Sequence, residues 1–510
     1  MSFHSLLRKV KNYPIQLAVF AGYLLTHLVQ LTTLPVFADE AIYIRWSQLI
    51  MDDWQRYLFF SLNDGKTPLF IWGMIPFLIS FIDQLFAGRL LTVLVGMAQV
   101  VLIGKLTQLL GGNKKAQILS MVFTSVLPFW FFYHRIALMD GLMTFFLSLT
   151  FFILIKLSLH LERHKTLPHT LIFTLTSGLA FGLALLSKIP ALFFSPVFVL
   201  IAMYPISHKR WKIEFDKIFW IGLSGAIGIA LFLMLKLHPA FGQLFSRGND
   251  FTYSIKDLLG GDWQNSLRNI PRFFSWLLFY LTPVVCLTPS FGLFVPPWRK
   301  KISLLLLSAT IFIAPFAIFG RTVYPRYLLP SSIFLTVGSS VLLGSWLEKQ
   351  KGTQLLTMVL IASSLIWSGY SMIATLFFND QTPYVAIDVE QYQTEWSAGY
   401  GIKEAADFIE SQAQKGRVVV ATEGYFGTLP DGILMNLHNQ DVSNIEVFGI
   451  GQPIKTIPAE FLRKASDADF AYIMVNSHRM FVTDDRLQLV HQYKRPKAGP
   501  TFDIYQFQIQ

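Results

Sequence analysis

Eleven apolar runs, each long enough to cross a hydrocarbon layer of about 30 Å, constrain this chain more than anything else in it. They lie near 15–36, 89–110, 116–134, 139–159, 170–187, 189–207, 218–237, 273–296, 302–319, 327–346 and 354–377. In lipid every backbone N–H and C=O must find its partner within the segment, so runs of this kind are helices. Only 14% of the 510 residues are charged while 53% are hydrophobic, against about 25% charged in soluble domains. The chain reads as an all-α polytopic membrane protein of about eleven spans, with interfacial helices besides.

Segment 67–86 is apolar too, but Pro68, Gly73 and Pro76 interrupt it and Asp83 charges it. Its placement sets the sidedness of everything after it. With 67–86 in the outer interface, the clusters Arg8-Lys9-Lys11, Lys105 with Lys114-Lys115, Lys156 to Lys165, His208-Lys209-Arg210 with Lys212, Arg299-Lys300-Lys301, and Lys349 with Lys351 share one face. The positive-inside rule makes that face cytoplasmic. The N-terminus is then expected inside, on an uncleaved first span, and the C-terminal part outside. The net charge of +11 thus belongs to topology, not to nucleic-acid binding. Cys286 is the sole cysteine, so no intramolecular disulfide can form.

From about 380 the pattern changes. Residues 399–412 read as an amphipathic helix, and 418–422, 470–475 and 502–507 as strands. A Gly-rich loop runs from Glu423-Gly424-Tyr425-Phe426-Gly427 to Pro430-Asp431-Gly432. The expected division is a membrane domain over 1–378 and a small extracytoplasmic α/β domain over 379–510.

The outer face collects a mixed set of polar residues. Asp39 and Glu40 stand where the first span emerges, a costly position for two carboxylates unless they work or are paired. One can accept a proton from an acceptor hydroxyl or amine, and either can ligate a divalent cation. Neighbours on a helix face different ways, so one should act and the other orient it. Lys66 follows an Asp-Gly turn; it either anchors the segment to headgroups or faces a lipid phosphate. Arg135, beside His134, can grip a phosphate through two nitrogens or pair with Asp140 to pin the loop. Lys188 between two apolar runs resembles a snorkelling lysine. Arg321 and Arg326, with Tyr324, put two arginines in one outer loop, where arginine is depleted by the topology rule; that points to an anionic ligand.

These motifs in this order resemble the protein O-mannosyltransferase family and the related aminoarabinose (lipid A) transferases of the GT-C class. The residues are Asp39-Glu40, Gly-Lys-Thr-Pro-Leu at 65–69, His134-Arg135 with Asp140 opening an apolar run, Leu-Ser-Lys188, and Tyr324-Pro-Arg326-Tyr-Leu-Leu-Pro. The resemblance covers roughly 10–350. It implies a GT-C fold and transfer of a monosaccharide from a polyprenyl-phosphate donor, with inversion, at the outer face of a prokaryotic plasma membrane. The acceptor would be a protein, a lipid or a cell-envelope glycan. It implies Asp39 as general base, Glu40 in support and Asp140 as a third site carboxylate. Lys66, His134, Arg135, Lys188, Arg321, Tyr324 and Arg326 would gather at the donor phosphate. A divalent cation is left open, with Asp39 and Glu40 as its ligands. The loop 238–272 is too short for the β-trefoil domain of the eukaryotic enzymes, which shifts the expectation away from a protein acceptor.

Two other readings are weighed against this one. An oligosaccharyl or polymer ligase would need a Trp-Trp-Asp-type motif beyond the spans, and the sequence has no such motif. A transporter or lipid-linked sugar flippase would place its ionisable residues near the bilayer midplane, whereas here they gather at one interface.

Overall fold

The computed structural model describes residues 14–163, 166–204, 215–440 and 443–509. The basic residues Arg8, Lys9, Lys11, Lys165, His208, Lys209, Arg210 and Lys212 of the topology reading lie outside the described residues. The chain divides into two compact units. One comprises Met1–Val29, Phe59–Phe70 and Thr92–Ile373; the other comprises Gln30–Leu58, Ile71–Leu91 and Ala374–Gln510.

Among the described residues, eight helices are long and apolar enough to cross a membrane. They are Gln84–Leu109, Met139–Arg163, Leu167–Ser187, Phe215–Leu237, Ile255–Phe294, Pro296–Phe319, Pro325–Trp346 and Lys351–Phe377. Each takes in one expected run. The other three runs form shorter helices, and local chemistry says why. Pro14–Leu28 stops just before Gln30, whose φ of 51° is left-handed and ends a helix. The run 116–134 is cut into Lys114–Val126 and Pro128–Tyr133. Pro128 has no N–H to continue the ladder, and it forces Leu127 out of the helical region, to ψ 138°. Ile189–Met203 is the third. Within 67–86 the helix is Leu69–Ser80; twelve residues reach about 18 Å, well short of a bilayer core.

In the first unit, small residues set how closely helices approach. Gly178 and Gly182 of Leu167–Ser187 meet Ser224 and Gly228 of Phe215–Leu233. A Cβ at Gly178 would lie 2.8 Å from the Ser224 carbonyl oxygen, and one at Gly228 would lie 2.9 Å from that of Gly178. The hydroxyls of Ser177 and Ser224 are 2.5 Å apart at the same crossing. Without a hydrophobic drive between helices in lipid, backbone proximity of this kind supplies the packing. Pro325–Trp346 is 94% buried by protein, whereas Lys351–Phe377 is only 22% buried. The latter turns Leu355, Leu356 and Ile366 outward, as a lipid-facing helix does.

The second unit is built on a five-stranded sheet: β1 (Val418–Thr422), β2 (Ile445–Gly449), β3 (Phe470–Asn476), β4 (Leu487–Tyr493) and β5 (Phe502–Phe507), in spatial order β2-β1-β3-β5-β4. β1 runs parallel to β2 and β3, while β5 runs antiparallel to β3 and β4. All five residues of β1 are buried, so it has no polar face, as expected of a strand covered on both sides. Val419 and Ala421, with Ala471, Ile473 and Val475, pack under Phe461 and Ala465 of Ala459–Ala465. Tyr472, alternating with these, meets Phe408 of Ile402–Ala413 on the opposite face. The three strands and the helix expected from the sequence are present. β2 and β4 are additional, and both are edge strands, β2 half-buried throughout and β4 partly exposed.

Candidate functional site

In the second unit, the helix Ala38–Asp52 begins at the acidic pair. Glu40, at its third position, reaches back to accept the Phe37 N–H at 3.0 Å, the reciprocal half of a capping box. Its carboxylate also receives the Arg89 guanidinium as a fork, Nε to Oε1 at 2.8 Å and Nη2 to Oε2 at 2.7 Å. Both side chains are sealed from solvent, 1% and 0% exposed. Arg89 further donates to the carbonyls of Leu31, Leu34 and Pro35. One arginine therefore ties the segment entering the helix to the helix's own first turn. Sequence reading did not single out Arg89, although a charge inside an apolar helix is a signal in its own right.

Asp39, one residue earlier, is half-buried in the same first turn, where helix N–H groups favour negative charge. The turn is fixed against residues 397–399: Ala38 N–H donates to Ser397 O at 3.0 Å, and Gly399 N–H to Val36 O at 2.9 Å. Both Glu40 oxygens are thus bonded to a guanidinium. Among the described residues no group of three or more His, Cys, Asp or Glu is placed to hold a metal ion.

In the first unit, the structure brings four of the expected residues together. Lys188, just past the end of Leu167–Ser187, places Nζ 2.8 Å from both carboxylate oxygens of Asp140. The same ammonium lies 5.0 Å from the centre of the Tyr327 ring. The Arg326 guanidinium stacks 4.4 Å over Tyr324 and lies 5.8 Å from the Tyr327 ring. Asp140, Lys188, Tyr324 and Arg326 thus form one cluster, with Tyr327 between the two cations. Both cations stand against the Tyr327 ring, and Lys188 is also held by the Asp140 carboxylate.

The other expected residues sit elsewhere. Lys66 pairs with Asp64, which also receives Arg247 at 2.8 Å. Gly65 between them has φ 72°, and a Cβ there would press the Leu244 carbonyl at 3.3 Å. Arg321 is 43% exposed, 3.5 Å from Asp257 and over the Tyr253 ring. His134 is buried against Tyr23, His27 and Trp130, as an interior packing residue.

Arg135, 5% exposed, donates Nη1 to the carbonyls of Thr26, His27 and Val29 at 2.8–2.9 Å. Thr26 and His27 are in the last turn of Pro14–Leu28 and Val29 follows it; carbonyls at a helix end lack helical donors and favour a cation. Arg135 was expected at the donor phosphate; this nitrogen is spent on a helix end. Charged hydrogen bonds of this kind contribute about 1.5–3 kcal/mol. Arg135→Ala is therefore expected to lower thermal stability, read from the melting of detergent-purified protein, more than it changes donor affinity.

Residues 57–251 match the family model described as dolichyl-phosphate-mannose-protein mannosyltransferase. No curated protein sequence matches. Among solved structures, ArnT from Cupriavidus metallidurans in the apo state is similar with a TM-score of 0.63 at 11% identity, over 96% of this chain and 97% of that one. The chain has the GT-C fold. The same ArnT bound to undecaprenyl phosphate matches with a TM-score of 0.57 at 14% identity, again over 96% and 97%. The archaeal oligosaccharyltransferase AglB from Archaeoglobus fulgidus, in complex with an inhibitory peptide and a dolichol-phosphate, matches with a TM-score of 0.53 at 11% identity, over 92% of this chain and 70% of that one. The GT-C assignment agrees with the resemblance read from the motifs, and it makes the chain an integral membrane protein.

Proposed function

We propose that the protein is a glycosyltransferase that moves one sugar from a polyprenyl-phosphate donor to an acceptor at the outer face of a prokaryotic plasma membrane. The observation that carries this reading is the division of labour in the acidic pair. Glu40 is neutralised and immobilised by Arg89, while Asp39 sits in the same helical turn on a fixed backbone. That arrangement suits a general base, whose position must be held by its surroundings. Likeness along the chain to a structure holding undecaprenyl phosphate supports the donor class.

In this reading Asp39 takes the proton from an acceptor hydroxyl. The acceptor oxygen bonds to the anomeric carbon as the bond to the phosphate oxygen breaks, and the electron pair leaves with the polyprenyl phosphate. Attack opposite the leaving group inverts the anomeric centre. Lys188 and Arg326 offset the charge that grows on the phosphate, and Asp140 holds Lys188 in place. Fixed charges of this kind act on the transition state and need no reorganisation.

The test is transfer from a radiolabelled polyprenyl-phosphate hexose by protein in vesicles, with several sugars and with isolated envelope fractions as acceptor. Label should move into an acceptor fraction. Translocation of intact labelled lipid without transfer would instead establish a flippase. In the same assay, Lys188→Ala is expected to cut kcat/KM for the donor by roughly 10²–10³, the usual loss for one stabilising donor. An unchanged value would reduce Lys188 to an anchor for Asp140.

A further inference from the structure

A cleft of about 180 Å³ opens at the C-terminal ends of β1 and β3, lined among others by Trp396, Glu423, Tyr425, Phe426, Gln452 and Arg479. β1 has β2 on one side and β3 on the other, so the loops leaving β1 and β3 part at this point. Open α/β sheets bind their ligands where strand order reverses in this way.

Three features define what the cleft can take. Tyr425 and Phe426 are 70% and 50% exposed, an aromatic surface with little packing reward of its own. Their loop is nonetheless fixed: Gly449 packs directly on the Gly424 carbonyl, with no room for a side chain. The second feature is a paired charge. Glu423 is buried and accepts from Asn476 N–H at 2.9 Å, from the Asn476 amide at 2.5 Å and from Arg479 Nη1 at 2.9 Å. Arg479 in turn stacks 4.9 Å over the Trp396 ring. Among the described residues its Nε and Nη2 have no protein acceptor. The third is position. Residues 397–399, just after Trp396, are the ones bonded to Val36 and Ala38, so the cleft and Asp39 share one backbone framework.

A phosphate or carboxylate would meet the charge of Glu423, and a wholly apolar ligand would strand the open nitrogens of Arg479. A neutral pyranose suits both features. Its C–H face lies on an aromatic ring, and its hydroxyl edge accepts from Arg479 and bonds to Gln452. We propose that this cleft is a saccharide subsite that holds a neutral pyranose unit of the acceptor, making the acceptor a glycan. The proposal rests on the transferase reading above.

The experiment is saturation-transfer NMR on the full-length, detergent-purified protein without donor lipid. The probes are methyl α-D-mannopyranoside, methyl β-D-glucopyranoside and methyl β-D-galactopyranoside at millimolar concentration, with inorganic phosphate as a competitor. At least one glycoside should show saturation at its ring protons, untouched by phosphate. Tyr425→Ala, at an exposed position that does not threaten folding, should weaken that binding about three- to tenfold, the usual worth of an aromatic contact. Arg479→Met should weaken it further. Absence of saturation with all three glycosides overturns the proposal, as do displacement by phosphate and equal binding by wild type and both variants. Because no donor is present, a negative result beside intact sugar transfer removes the cleft assignment alone. Saccharide binding without any transfer keeps the cleft and removes the transferase reading.

Discussion

Asp39→Asn is expected to lower turnover by about 10²–10⁴ at saturating donor while leaving the protein folded. The change keeps the shape of the side chain and its polarity at the helix start, but an amide takes no proton from the acceptor, and that range is what a positioned general base contributes. The stability cost is expected to be small, because a single carboxylate at a helix N-terminus is worth about 0.3–1 kcal/mol. Initial rates of label transfer, set beside melting of the same preparations, separate the two effects. Turnover within a few-fold of wild type would remove Asp39 from the chemistry. A matching loss of stability would make it a helix-capping residue instead.

Arg89→Ala should produce the largest stability loss of any single change in the second unit. Glu40 would be left buried and charged without its partner, an arrangement that costs about 3–5 kcal/mol. The carbonyls of Leu31, Leu34 and Pro35 would lose their donor in the same stroke. The expected result is a sharply lower aggregation temperature in heated, size-fractionated detergent extracts, with activity falling in parallel because the first turn carries Asp39. The double variant Arg89→Met/Glu40→Leu removes both charges and should regain part of the loss, since uncharged substitutes for a buried ion pair are often tolerated. A single variant that melts like wild type would mean that Glu40 finds another partner. A double variant no better than the single would assign the loss to the three carbonyls.

Much of the architecture was legible because membrane helices and buried strands are written in hydrophobic runs. Each of the eight long helices corresponds to an apolar stretch, and β1, β3 and β5 stand where β-branched and aromatic residues cluster. The edges were less legible. β2 is half-buried throughout and β4 mixes half-buried with exposed residues, so neither shows a clear apolar face in sequence.

The acidic pair was recognisable from its place after the first apolar run, but its roles were not. Asp39 and Glu40 differ by one methylene in sequence. What fixes the role of Glu40 is Arg89, 49 residues further on, whose fork closes on its two oxygens. Arg135 shows the same limit from the other side. An arginine near a membrane surface reads equally well as a phosphate ligand or a pin, and nothing in chain order foretells that one Arg135 nitrogen bonds the carbonyls of Thr26, His27 and Val29. The cluster of Asp140, Lys188, Tyr324 and Arg326 was assembled by helix ends that are far apart in the chain. The sequence alone therefore determined the GT-C class of fold, the eight long apolar helices and the supply of charged groups. Only the tertiary structure decided which of those charges are spent on one another, because a buried charge takes its partner from whatever the packing brings within hydrogen-bond reach, and chain order does not encode that distance.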